Sequence, residues 1–191
     1  MLLGWRLTHS LSEGAVSLAL TEVEAYLGAD DPASHAYRGP SPRNRSMFSG
    51  PGHLYVYRSH GLHWCCNVVT GPEGQPSAVL LRAGQVTEGL SLARARRGAG
   101  KADAALARGP GCLTQALGIT GADDGAHLLA GGALRLEPGS EPASAVVSGP
   151  RVGISKATDK QWRFWVSGDP TVSRHRAPVG RHSDGRADAQ G

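Results

Sequence analysis

Apolar and polar residues alternate through positions 15–27, AVSLALTEVEAYL, so that Val16, Leu18, Leu20, Glu22, Glu24 and Tyr26 share one face of a predicted strand while Val23 and Leu27 lie on the other. That face changes along its length from aliphatic to carboxylate and aromatic. Three strand-like runs follow at 53–58 (HLYVYR), 64–69 (WCCNVV) and 78–83 (AVLLRA), the last two separated by the turn-forming GPEGQP, which predicts an antiparallel meander. Residues 29–52, between the first strand and the meander, are rich in Asp, Pro, Ser, Arg and Gly, and predict a long ordered or semi-ordered loop.

Downstream, LSLARARR predicts a helix ending at Gly98, and GAGKADAALARG reads as a mobile, basic connection. A second short helix is expected in GPGCLTQALGI, with Pro110 early and Gly118 late. A turn at GADDGA and strands at 133–136, 151–154 (RVGI) and 161–166 (QWRFWV) complete the pattern. From Arg174 onward almost nothing can be buried, so 174–191 is expected to be a disordered basic tail. No internal repeat is present. Short strands with few helices predict an α+β fold: a single domain, residues 1–173, around a curved, mostly antiparallel sheet with flanking helices.

A length of 191 residues and 40% hydrophobic content suit one domain and a packed core, and 19% charged residues do not describe a disordered chain. No apolar stretch approaches the roughly 20 residues that span a bilayer, and Arg6 interrupts what would be the apolar region of a signal peptide, so a cytoplasmic protein is expected. Adjacent Cys65 and Cys66 with a solitary Cys112 give neither a disulfide framework nor zinc-ligand spacing, and are expected as reduced core residues. The net charge of +4 is carried mostly by Arg, with Lys only at 101, 156 and 160, which makes a polyanionic partner plausible without specifying one.

Glu24 and Tyr26, two apart on a strand, place a carboxylate beside a flat ring at about 7 Å. By spacing alone, Glu22 and Glu24 are better read as solvated edge charges, with Tyr26 packing the rim. Their surroundings are more specific. TEVEAYLG, a Pro- and Ser-containing stretch with His35, PRNRSMF, GHLYVYRSHG, WCCNVV, AVLLRA, GPGCLTQALGI, RVGISKA and WRFWVSG occur in this order, and the ensemble, which runs to about Ser173, resembles the alkyladenine (3-methyladenine) DNA glycosylase family.

The resemblance implies that Glu24 is the general base that activates water against the anomeric carbon, with Arg82 helping to hold that water. It implies that Tyr26, His35 and Tyr57 enclose an extruded purine, and that Asn67 disfavours the exocyclic amino group of normal guanine. Tyr55 stays with the core. Damaged DNA is the implied partner of a monomeric enzyme that needs no cofactor or metal, acting on 3-methyladenine, 7-methylguanine, hypoxanthine or ethenoadenine. No Lys lies near these motifs, as suits base excision by water rather than by an amine. Where the family usually has a Tyr wedge that fills the vacated stack this chain has His60, and where it more often has Gly it has Ser46. Arg43, Arg45, Arg94, Arg96 and Arg97 are candidates for phosphate contact or for a solvated face. Two rival readings are a lesion-binding protein without excision and a metal-dependent hydrolase built on His53, His60, His63 and Glu24.

Overall fold

A strand of 13 residues, β2 (Gly14–Tyr26), is long enough to take two partners in succession along one edge. In the computed structural model, which describes residues 1–140 and 143–174, that edge pairs first with β1 (Arg6–Leu11) and then with β8 (Arg163–Val166). The opposite edge pairs with β5 (Ala78–Glu88), and β4 (His63–Val69) and β3 (Leu54–Ser59) continue the sheet beyond it. On the far side β6 (Leu134–Glu137) adds to β1, and β7 (Val146–Gly149) adds to β8. Every pairing is antiparallel, and the sheet curls into a half-barrel.

The single face expected for β2 is broken. Register shifts between Leu20 and Glu22 and again before Val23 mark a bulge. An extra residue on one strand changes which side chains face which way. Val16, Leu18 and Leu20 therefore share the main core with Val23, while Glu22 and Glu24 turn to the other side of the sheet. One uninterrupted strand carries both the core and the carboxylates.

The core face is covered by α1 (Leu90–Arg97) and α2 (Pro110–Leu117), as expected from their apolar spacing. Leu113, Ala116 and Leu117 of α2 and Ala93 of α1 pack against Leu18, Leu20, Leu81 and Val68. Pro110 opens α2 and Gly118, at φ 74°, closes it while the Ile119 amide returns to the Thr114 carbonyl at 2.8 Å. Gly84 is required where β5 crosses β2: a Cβ there would lie 2.5 Å from Leu18 Cδ1 and 2.7 Å from the Ala19 carbonyl oxygen. Cys65 and Cys66 are buried and Cys112 half-buried, all as free thiols.

Residues 29–52 are an ordered loop with short 3-10 turns at Gly28–Asp30 and Arg45–Phe48. A second, smaller apolar cluster holds it: Ala36 and Met47 from the loop pack on Tyr55, Val69 and Ala78 of the sheet.

Two expectations need correction, and two strands were not foreseen. The 99–108 connection is not a free basic linker, because Leu106 and Ala107 are fully buried and Arg108 bridges to Ala83. Residues 151–154 form no strand; Gly153, at φ 74°, bends the chain out of extension, and Arg151 and the Val152 amide bond inward. β1 and β7 were not expected. In β1 the buried positions include Thr8 and His9, satisfied by Ser17 Oγ at 2.9 Å and the Leu117 carbonyl at 3.0 Å, so the strand lacks an aliphatic alternation. The expected tail, apart from Arg174, lies outside the described residues.

The anchoring of 99–108 is testable. Leu106→Ala is expected to lower unfolding stability by about 2–5 kcal/mol, as for a fully buried leucine, measured by urea denaturation. A loss no larger than about 0.5 kcal/mol, as at an ordinary surface site, would mean that the segment is detached in solution.

Candidate active site

Strand register brings one residue from each of five strands into a row across the concave face: Tyr55, Asn67, Leu80, Glu24 and Arg163 are successive cross-strand partners. Tyr57 and Arg82, two residues along their strands from Tyr55 and Leu80, fall on the same side because pleated strands repeat every two residues. The 29–52 loop and residues 152–156 rise around this face and enclose a cavity of about 470 Å³. Tyr26, His35, Tyr57, His60, Asn67 and Arg82 all line it. Glu24 does not line it; its carboxylate is completely buried behind Tyr26, Arg82 and Val152.

The cavity has aromatic walls. Tyr55 and Tyr57 stack at 5.4 Å, and His35 stands edge-on to Tyr57 at 4.4 Å. Tyr55 serves the core, as expected, and also shares a 2.9 Å hydrogen bond between its hydroxyl and His35 Nδ1. Burial first, and then the nearby Arg43 charge, depress the His35 pKa, which keeps the imidazole neutral near pH 7. Burial pushes the Tyr55 hydroxyl up to about 12, and pushes those of Tyr26 and Tyr57 higher still, reinforced by Glu24 and by Cys65 respectively. The walls thus present uncharged rings. Asn67 Nδ2 reaches the Tyr55 carbonyl at 3.5 Å from beneath them.

Around Glu24 the polar groups converge. Tyr26 donates its hydroxyl to Oε2 at 2.9 Å, the Val152 amide donates to Oε1 at 2.7 Å, and Arg82 Nη1 lies 3.1 Å from Oε1. Arg82 is itself held by Glu22, whose Oε1 accepts from Arg82 Nε at 2.7 Å, Arg163 Nε at 2.7 Å and Ser173 Oγ at 2.8 Å. The Ser173 amide donates to Oε2 at 2.7 Å. Glu22 is therefore not the edge charge its spacing allowed, and its parity with Glu24 was the one available signal. Burial alone would raise its pKa; Arg82, the Ser173 amide and Arg163 more than reverse this and hold it below the ordinary carboxylate range.

A second buried ion pair escaped sequence reasoning because RVGI reads as a strand. Arg151 grips Asp31 through Nη1 at 2.5 Å and Nη2 at 2.9 Å, both side chains fully buried. Its guanidinium lies 4.5 Å from the centroid of the Tyr26 ring and 5.1 Å from that of Trp162. Burial would raise the Asp31 pKa, but Arg151 and the Ala33 amide hold it below the usual value.

The remaining candidates separate. His60 sits at the exposed tip of the β3–β4 hairpin, on the cavity rim, at φ 49°, with Gly61 at φ 69°, a turn that suits the right-handed twist of a hairpin. Leu62, beside it, is 71% exposed, an apolar tip that no sequence pattern singled out. Ser46 is buried, donates to Asp124 Oδ1 at 2.7 Å and is absent from the positive-φ residues, so glycine is not needed there. Arg43 and Arg58 line the cavity, and so does exposed Lys156 of the RVGISKA stretch, so the expectation that no lysine lies near the site motifs is corrected: the 152–156 segment carries one to the cavity. Arg45 is exposed. Arg94, Arg96 and Arg97 bind protein groups instead: Asp103 at 2.6 Å, Glu13 at 2.8 Å and the Leu106 carbonyl at 2.7 Å. The residues of the metal reading are not brought together among the described residues: His53 stands edge-on to His127, His60 and His63 are exposed, and Glu24 is enclosed by other groups.

Depressed carboxylate pKa values tie stability to pH with a definite sign. A group whose folded pKa lies below its unfolded one contributes fully above the unfolded value, ordinarily 4.5 for Glu22 and 3.8 for Asp31, and loses that contribution as pH falls through the folded value. Urea melts are expected to show flat stability from neutral pH down to about 5.5 and a decline below that. Glu22→Gln is expected to lower neutral stability by about 3–5 kcal/mol, by stranding buried guanidinium charge, and to flatten part of the acid limb. An unchanged acid limb in this variant would rule out Glu22 as its source.

The family model described as methylpurine-DNA glycosylase (MPG) matches residues 1–170. A Streptomyces avermitilis protein named "Putative 3-methyladenine DNA glycosylase" is 49% identical over 184 residues, covering 94% of this chain and 86% of its own. Proteins of the same name from Cutibacterium acnes and Frankia casuarinae are each 52% identical, covering 85% and 86% of this chain and 88% and 82% of their own. The chain belongs to the methylpurine-DNA glycosylase family.

Proposed function

We propose that this chain is a monofunctional DNA glycosylase of base-excision repair that takes alkylated or deaminated purines out of the DNA stack and hydrolyses the N-glycosidic bond, leaving an abasic site. The observation that carries this reading is the Glu24 carboxylate sealed under an aromatic-walled cavity, with Arg82 Nη1 and the Val152 amide meeting at the same oxygen. A water entering beside Oε1 would meet one acceptor and two donors.

In this mechanism a flipped purine enters between Tyr26 on one side and Tyr57 with His35 on the other. Extrusion costs a few kcal/mol, and stacking returns about 1–3 kcal/mol per base–aromatic contact. Neutral His35 and Asn67 supply hydrogen-bonding edges, Asn67 disfavouring the exocyclic amino group of guanine. Glu24 takes a proton from water as its oxygen bonds to C1′, and the electron pair of the breaking bond leaves with the purine. Arg43, Arg58 and Lys156 at the cavity offer cationic groups to the DNA backbone. The unit acts as a monomer on chromosomal DNA within the cell. No helix among the described residues is long and apolar enough to cross a membrane.

One observation favours a second reading, lesion binding without release: Glu24 has no exposed surface at all. Single-turnover assays separate the two. Wild type is expected to release hypoxanthine and 3-methyladenine, and Glu24→Gln to lose about 10²–10⁴ in rate while still binding lesion DNA. Lesion binding without any release by wild type would select the binding reading.

The hairpin tip sets a further expectation. Imidazole fills a vacated base stack less completely than a phenol, so His60→Tyr is expected to raise the ratio of duplex to single-strand excision. Leu62→Ala is expected to lower it, since an exposed apolar side chain at the same tip can wedge between bases. Equal ratios in all three proteins would remove the hairpin from the wedge role.

A further inference from the structure

Tyr26 has its two faces in different environments. One looks into the cavity. Against the other lies the Arg151 guanidinium, 4.5 Å from the ring centroid, fully buried and absent from the cavity lining. The guanidinium is fixed there by three constraints: the two-pronged bond to Asp31, a 3.0 Å bond from Nη1 to the Ala25 carbonyl, and the Trp162 ring at 5.1 Å. Its Nε has no hydrogen-bond partner among the described residues.

An aromatic face attracts cations through its negative quadrupole. The Tyr26 hydroxyl donates to the Glu24 carboxylate, which enriches the ring in electron density and by itself would make it a strong platform for a cationic base. Arg151 opposes this: its guanidinium lies over the ring, so the positive end of the Asp31–Arg151 pair, although offset by the carboxylate beyond it, draws that density away from the cavity and disfavours a cation stacked there. The cavity lining works in the same direction, since it includes Arg43, Arg58 and Lys156 and, among the described residues, no carboxylate, while Arg82 is offset by Glu22 and Glu24 behind it.

We propose that Arg151 is a specificity-determining residue, which acts through the Tyr26 ring to make the cavity favour neutral damaged purines over purines that already carry a positive charge. This rests on the glycosylase reading and deepens it. A neutral purine such as hypoxanthine leaves with the electron pair of the C1′–N9 bond and becomes anionic, while the water oxygen bonds C1′ and its proton passes to Glu24. A platform and walls of positive character stabilise that developing anion. An N-methylated purine such as 3-methyladenine begins as a cation and leaves neutral, so it gains nothing from them and meets repulsion on entry.

The test measures single-turnover release of hypoxanthine and 3-methyladenine from one duplex sequence by the full chain, with release in enzyme-free controls subtracted. In Asp31→Asn/Arg151→Met the buried pair is removed together, so no lone charge is stranded. The hypoxanthine to 3-methyladenine ratio is expected to fall about three- to tenfold, the size of a cation–π contact expressed as a ratio. Arg151→Lys keeps the ion pair with Asp31 but cannot lay a planar cation on the ring, and is expected to shift the ratio the same way by a smaller factor. Two proportional losses with an unchanged ratio in both variants would overturn the proposal and leave Arg151 a packing residue. Release of neither base by wild type would instead overturn the glycosylase reading beneath it.

Discussion

The buried carboxylate of Glu22 is the constraint on which the rest of the site depends. Removing a carboxylate from water costs several kcal/mol unless charge and hydrogen bonds replace the lost hydration. Here the replacements come from three separate parts of the chain: Arg82 on β5, Arg163 on β8 and Ser173 beyond the last strand. All must be in place together, so the C-terminal end of the fold is bound to its central strand by the same group that orients Arg82. Neighbouring contacts support this closure, with the Thr21 and Thr171 hydroxyls 2.7 Å apart and Asp169 capping the turn through the Thr171 amide at 2.8 Å. Arg82, held at Nε by Glu22, then has Nη1 left for Glu24.

The same logic explains how a concave face with little regular structure above it can be rigid. Its cover consists of the 29–52 loop and the irregular 151–160 segment, which no ladder of backbone bonds supports. Apolar packing of Ala36 and Met47 holds the first, and the Asp31–Arg151 pair ties the two together. Asp31 also accepts from the Ala33 amide at 3.1 Å, shaping the turn that leads to His35. Side chains with several hydrogen bonds each take over the ordering that secondary structure supplies elsewhere.

Much of this was legible in the sequence, for identifiable reasons. The meander strands, both helices and the α+β class follow from periodicity and from Pro110, Gly98 and Gly118, because burial on one face leaves a regular trace. The candidate residues Tyr26, His35, Tyr57, His60, Asn67 and Arg82 converge on one cavity. What was hidden has no periodic trace. The bulge between Leu20 and Glu22 changes the facing of side chains without changing composition. β1 buries Thr8 and His9, so its pattern reads as polar. Arg151 sits in RVGI, whose extended look comes from Val152 and Ile154, while its role comes from Asp31, 120 residues away in the chain. Leu106 and Ala107 are two apolar residues in a basic stretch, too few for a pattern and enough for an anchor.

The two carboxylates on β2 differ in a way that divides their tasks. Glu22 accepts four hydrogen bonds, two of them from guanidinium groups, and has no capacity left for a substrate. Glu24 holds one guanidinium nitrogen, one amide and one tyrosyl hydroxyl, all of which belong to the cavity wall or to the segment that closes it. Any group that enters the cavity and displaces Tyr26 or Val152 slightly must therefore be felt at Glu24 and not at Glu22. A strand that keeps one acid saturated and the other bonded to groups of the cavity wall separates the stabilising task from the chemical one. Their two-residue spacing keeps both acids on one side, and the bulge turns that side away from the core, where one arginine serves them both.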